Sequence, residues 1–190
     1  IKDANKSDKI IGVFAQIDPD TEEPTISQLN SIGTMAQIVK VLRMPDGNTT
    51  VIIQGKNRFK LVEETQSEPY LKASVNKFEE VRPKVDKEFK AMVASVKELA
   101  MQIIQFSPNI PSEAAIAIKN IESVPFLINF ISSNMNASVA DKQLMLEVAN
   151  LRDRATMVLE HLSAELQMLE LKKQDYVVSL NSQREIMRIY

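Results

Sequence analysis

The spacing of apolar residues divides the chain into two patterns. In the first, apolar runs are short and broken by turn residues. Ile10-Ile11-Gly12-Val13-Phe14-Ala15 precedes an acidic, proline-containing stretch at residues 18–24, and a run of that length suits a buried strand. Residues 34–44 and 48–54 flank Pro45-Asp46-Gly47. Asp-Gly tolerates positive φ, so the two runs read as a hairpin with a short loop. Val51 and Ile53 would then share a face, with Ile52 opposite. Further strands are expected at residues 58–62, after Gly55, and at residues 70–75, with Leu71, Ala73 and Val75 pointing one way.

The second pattern is helical. Val85, Phe89, Met92, Val96, Leu99, Ile103 and Phe106 recur at alternating steps of four and three, one apolar stripe over three heptads. Ser107-Pro108 should stop that helix. Pro111 is suited to the first turn of a short helix carrying Ile116 and Ile118. Ser123 before Val124-Pro125 opens another, with Phe126 and Phe130 one turn apart. Ser138 with Asp141 has capping-box spacing and opens a helix through Leu144 and Val148. Asn150 and Asp153 mark a last start. From there neither Pro nor Gly interrupts the chain, and Leu151, Ala155, Val158, Leu162, Leu166 and Leu169 line one face. About 40 helical residues span about 60 Å, more than a bundle of this size covers. The far end, with apolar Tyr176, Val177, Leu180 and Met187, is expected to contact a partner.

Composition supports this division. All four glycines lie within the first 55 residues, and seven of the nine methionines lie at Met92 or later. The expected fold class is α+β: a small twisted sheet or partly closed barrel, then a helical bundle ending in a long helix. The expected domains are a β-rich part at residues 1–83, a bundle at 84–149 and a terminal helix at 150–190. Each half carries almost balanced charge, 11 basic against 12 acidic groups in residues 1–83 and 12 against 13 in residues 84–190. A net charge of −2 over 190 residues weighs against a polyanion as the main partner. There is no cysteine and one histidine, His161, which removes disulfides, thiolate metal sites and multi-histidine zinc sites. No run of about 18 apolar residues is present to span a membrane.

The search for chemistry mostly excludes. The one Gly-Lys pair, Gly55-Lys56, has Thr50 and Asn57 where a phosphate-binding loop needs glycine and a hydroxyl. An EF-hand counted from Asp18 would place Glu23 where glycine is needed and Leu29 where glutamate is needed. No serine has the glycine-elbow context of a hydrolase nucleophile, and His161 reads as a surface histidine beside Glu160 and Glu165. Glu63-Glu64 and Glu79-Glu80 read as solvated ends. Lys56-Asn57-Arg58-Phe59-Lys60, with Lys40 and Arg43, offers a basic patch around an aromatic, a combination that holds single-stranded nucleic acid. The plainer reading places Phe59 in the core and the polar face in water. The methionines at 92, 101, 135, 145, 157 and 168 could form an adaptable surface, but core filling is preferred for Met92.

The order of these motifs resembles a known family. Gly12-Val13-Phe14-Ala15-Gln16-Ile17-Asp18-Pro19 is followed by Glu23-Pro24, Ile32-Gly33-Thr34-Met35-Ala36-Gln37-Ile38 and Pro45-Asp46-Gly47. Gly55, Arg58, Pro69-Tyr70, Ala73 and Val75 come next, then Ala140-Asp141-Lys142-Gln143, Leu146-Glu147, Arg154, Leu162, Glu165 and Leu169. Over residues 1–171 this is similar to the amino-terminal domain of Lon, the ATP-dependent bacterial protease. The resemblance implies a PUA-like β part, a non-catalytic role in engaging unfolded or damaged proteins, other Lon protomers as partners, and a cytoplasmic setting. ATP and Mg would bind in the ATPase domain of the parent hexamer, whose protease domain carries a serine–lysine pair, and no catalytic, cofactor or metal residue is assigned here. Ile1-Lys2-Asp3-Ala4 is similar to the tail of the family's first helix, so an early strand is expected to be missing. Residues 173–181 depart from the family. A free-standing relative that binds a ligand, or an RNA-binding module, are the alternatives.

Overall fold

A computed structural model describes residues 1–107, 110, 111 and 113–189, with side chains as far as Tyr176. In chain order the elements are α1 (Lys2–Lys6), β1 (Ile10–Val13), β2 (Ile32–Arg43), β3 (Thr49–Gln66), β4 (Lys72–Lys77), α2 (Lys87–Phe106), α3 (Glu113–Asn120), α4 (Val124–Asn134), α5 (Val139–Glu147) and α6 (Leu151–Ile189). They form two units, Ile1–Glu80 with Val139–Ala149, and Val81–Ser138 with Asn150–Tyr190. Division by packing thus differs from division by composition: helix α5 groups with the sheet.

The first unit is an open antiparallel sheet in the order β1-β2-β3-β4, with no closure into a barrel among the described residues. The expected hairpin joins β2 to β3. Gly47 supplies the positive φ of its turn (+86°), and the Asp46 carboxylate accepts the Asn48 N–H at 2.9 Å and its side-chain amide at 2.8 Å. The two runs expected at residues 48–54 and 58–62 are one strand. Gly55 does not end it. Asn57 pairs with Met35 and Gly55 with Ala36, so Lys56 is accommodated as a bulge. Phe14 meets Phe59 edge to face, centroids 5.0 Å apart at 85°, a favoured aromatic geometry. Ile32, Ala36, Ile38, Phe59 and Met145 are buried.

Helix α5 is tied to this sheet by polar contacts. Gln143 Nε2 donates to Ile32 O at 3.1 Å and to Glu147 Oε1 at 2.8 Å. Arg58 donates from Nη1 to Leu146 O and Val148 O and from Nη2 to Glu80 Oε1 at 2.9 Å. A cation on the last carbonyls of a helix satisfies orphan acceptors and suits the dipole. The Arg58 guanidinium also lies 4.4 Å from the Phe78 ring centroid.

The second unit is helical. Asp86 caps α2, its Oδ1 accepting the Phe89 N–H at 2.8 Å. Ser123 caps α4, accepting the Phe126 N–H. Helix α2 packs along α6. The buried positions of α2 are Phe89, Val93, Val96, Ala100 and Ile103. The expected stripe is therefore right along its centre line, but its Met92 and Leu99 are half-buried and Val85 is exposed before the helix. On α6, Leu151, Ala155, Val158, Leu162 and Leu166 are buried as expected, with Leu169 half-buried. Lys97 Nζ on α2 donates to Ile121 O at 2.7 Å just past α3.

Candidate functional site

The helices of the second unit leave an open apolar groove of about 550 Å³ between α2, α3, α4 and α6. Its walls include Ile103, Ile118, Phe130, Ile131 and Leu162. Three local features make it. Helix α2 ends at Phe106, with Ser107 as its C-cap. The short α3 lays Ile118 against the bundle while Ile116 stays exposed. Helix α4 ends at Asn134, and Met135 and Asn136 just past it also line the groove. Phe126 stacks on Phe130 with centroids 6.2 Å apart and is 58% exposed. Apolar surface therefore continues from the groove to the outside of α4. A groove of this size and lining has the character of a binding site, with a few polar groups among apolar walls.

The polar groups of the groove are Asn134, Asn136 and Glu165. Glu165 Oε2 is buried and has no hydrogen-bond partner. Burial raises the pKa of this carboxyl above its ordinary value, and the nearby His161 opposes that rise through its charge. His161, one turn before Glu165 on α6, places Nε2 2.8 Å from Asn136 O and so ties the helix to the turn after α4. Its role in the structure is that tether.

The positions singled out by sequence fall elsewhere. Arg58 and Phe59 of the basic segment are both buried in the first unit, Arg58 on α5 and Glu80 and Phe59 against Phe14. The cluster thus lacks the exposed aromatic and the central cation of a nucleic-acid platform. The acidic stretch at residues 18–24 is wrapped on Gln16, whose Nε2 donates to the carbonyls of Asp18, Pro19 and Thr21 at 3.0, 2.8 and 3.1 Å. Among the methionines, Met135 and Met145 are buried, Met92 accepts the Thr156 hydroxyl at 3.6 Å, and Met168 is exposed. Tyr176 is 66% exposed, while the side chains of Val177, Leu180 and Met187 lie outside the described residues. Among the described residues, no group of three or more His, Asp or Glu could hold a metal ion, and no helix is long and apolar enough to cross a membrane.

Sequence reasoning did not single out Glu165 as a groove residue. The available signal was its place between Leu162 and Leu166, at the edge of the buried stripe of α6.

The family model described as the ATP-dependent protease La (LON) substrate-binding domain matches residues 1–164. A Lon protease of Flavobacterium johnsoniae is 56% identical over 173 residues, covering 90% of this chain and 21% of that protein. The Lon protease of Cytophaga hutchinsonii is 45% identical over 175 residues, covering 92% and 22%. The chain thus spans about a fifth of the length of these curated relatives. Among solved structures, the N-terminal domain of the Mycobacterium avium complex Lon protease superposes with a TM-score of 0.61 at 19% identity, covering 80% of this chain and 90% of that one. A Lon N-terminal domain protein from Xanthomonas campestris gives 0.57 at 12% identity, covering 84% and 79%. At these identities the two structures speak for the fold.

Proposed function

We propose a role in engaging protein substrates for a chain that belongs to the ATP-dependent protease La (LON) substrate-binding domain family. The substrates are unfolded or damaged proteins, delivered to a Lon-type serine protease in a cytoplasmic setting. The chain itself performs no catalysis in this reading. ATP, Mg and the peptidase chemistry belong to the other domains of the parent protein, and other protomers of that protein are its second class of partner.

The observation that supports this role is the apolar groove continued by the Phe126–Phe130 stack. Unfolded chains expose apolar segments that a folded protein hides, and a contiguous apolar surface is what distinguishes them. Charge alone would not, since both partners carry mixed charge.

The test is equilibrium binding of a carboxymethylated, permanently unfolded protein to the full chain. Binding should persist from low salt to about 0.5 M, where the Debye length is only a few ångströms. Phe130→Ser, with its helical content confirmed by circular dichroism, should weaken it. Loss of binding in salt, or no effect of Phe130→Ser, would overturn the reading. The isolated chain should show no ATP hydrolysis and no cleavage of the same protein.

A further inference from the structure

The groove carries one feature that general apolar capture does not need. Glu165 contributes to its lining, yet Oε2 is out of solvent and accepts no hydrogen bond. A buried oxygen of this kind costs free energy, and rotation of the carboxylate about its soft terminal torsion would present it to a donor in the groove. His161 does not supply that donor, because it acts on Glu165 only through its charge and places Nε2 on Asn136 O. No cation lies among the described lining residues, where Glu165 is the one titratable group.

We propose that the groove selects apolar polypeptide segments that carry a lysine or arginine, with the cationic end meeting Glu165 and the neighbouring side chains on Ile103, Ile118 and Phe130. The proposal rests on reading the groove as the substrate surface. A lysine or arginine suits the place because its methylene stem lies on apolar walls while its head group supplies a donor. A neutral donor would satisfy the oxygen as well, but a hydrogen bond between two charged groups is about twice as strong. Burial also makes the carboxylate less comfortable in its ionised state when the groove is empty, and an entering cation reverses that preference.

The experiment uses the full chain and three fluorescent decapeptides of one apolar sequence that differ at a central position: lysine, norleucine or glutamate. Norleucine keeps the stem and lacks the charge. The lysine peptide should bind about tenfold tighter than the norleucine peptide, the lower end of the range for a hydrogen bond to a charged group. The glutamate peptide should bind weakest. In Glu165→Gln, and in Glu165→Met as a second variant, the ratio of lysine-peptide to norleucine-peptide affinity should fall to about one. Equal binding of lysine and norleucine peptides, or a lysine preference that survives both variants, would overturn the proposal while leaving the groove as a substrate surface. If Phe130→Ser weakens none of the peptides, the groove reading falls and the proposal falls with it.

Discussion

Arg152 Nη2 lies 2.6 Å from Asp86 Oδ2, and the other oxygen of the same carboxylate caps α2 by accepting the Phe89 N–H. One side chain therefore starts a helix and clamps it to the first turn of α6. The cap bond from Phe89, followed by Arg152, holds the Asp86 carboxyl below the ordinary aspartate range against the opposing effect of burial. A depressed pKa in the folded state adds stability above the unfolded pKa of about 3.9, and that stability is lost as pH falls through the folded value. Asp86→Ala should lower the melting temperature at pH 7. The gap from the wild type should close as pH falls through the depressed folded value. Thermal melts at stepped pH check this, and a gap that stays constant would refute it.

Arg58 sets a larger dependence in the first unit. Its removal leaves the carbonyls of Leu146 and Val148 and the carboxylate of Glu80 without their donor. Breaking a buried ion pair costs about 3–5 kcal/mol. Because the Glu80 side chain keeps 34% exposure, the expected loss for Arg58→Met is about 2–3 kcal/mol. Lysine should not rescue it, since one ammonium cannot reproduce the fork that serves three acceptors. Hydrogen exchange is the discriminating readout: amides of α5 should lose protection in Arg58→Met before those of α2.

Gly33 leaves no room for a side chain. A Cβ there would stand 2.6 Å from both Phe14 Cδ1 and Val13 O. The ring could turn, but the main-chain oxygen belongs to the β1–β2 ladder. Gly33→Ala should destabilise by about 1–3 kcal/mol, the range for overpacking. Adding Phe14→Leu should recover only part of that, because the clash with Val13 O remains. Urea denaturation of the single and double variants tests both statements, and full recovery would show that the ring alone makes the constraint.

These features show what was legible in the sequence. The Asp-Gly hairpin, the Ser123 cap and the α6 stripe are local rules of turn chemistry and period, and each is found where expected. The stripe of α2 was legible only to half a turn. Phe89, Val96 and Ile103 form its centre, but whether Met92 and Leu99 or Val93 and Ala100 flank the core depends on which helices pack beside it. Period alone cannot choose between the two sides. The plainer reading of Lys56-Asn57-Arg58-Phe59-Lys60 places Phe59 in the core, as found, and the polar face in water, whereas Arg58 is taken by acceptors 22 to 90 residues away. Those contacts have no signature in the local sequence. Glu165 was missed for the same reason, since its neighbours come from α2, α3 and α4.

Glu165 also predicts a stability effect independent of any ligand. Its pKa is raised in the folded chain, chiefly by burial. The sign is the reverse of Asp86: the folded state holds the proton more tightly, so stability falls as pH rises past the unfolded value of about 4.3 and through the raised folded one. Glu165→Gln should therefore match the wild type near pH 4 and exceed it in melting temperature at pH 7. A variant less stable than the wild type at pH 7 would mean that the carboxylate has a structural partner.

The far end of α6 bears on assembly. Met168, Leu171 and Tyr176 are exposed, and the sequence adds Val177, Leu180 and Met187 to the apolar residues beyond them. Fully burying a large apolar side chain is worth about 1.5–3 kcal/mol, so covering several at once offsets the cost of joining two chains. A second copy of the same helix can supply the covering surface, and the expected outcome is a weak dimer without a hexamer. Sedimentation equilibrium of the full chain should show association rising through the high-micromolar range. A truncation after Leu171, which keeps the buried stripe from Leu151 to Leu166, should remain monomeric at every concentration. If the two behave alike, Tyr176, Val177, Leu180 and Met187 do not form a self-association surface.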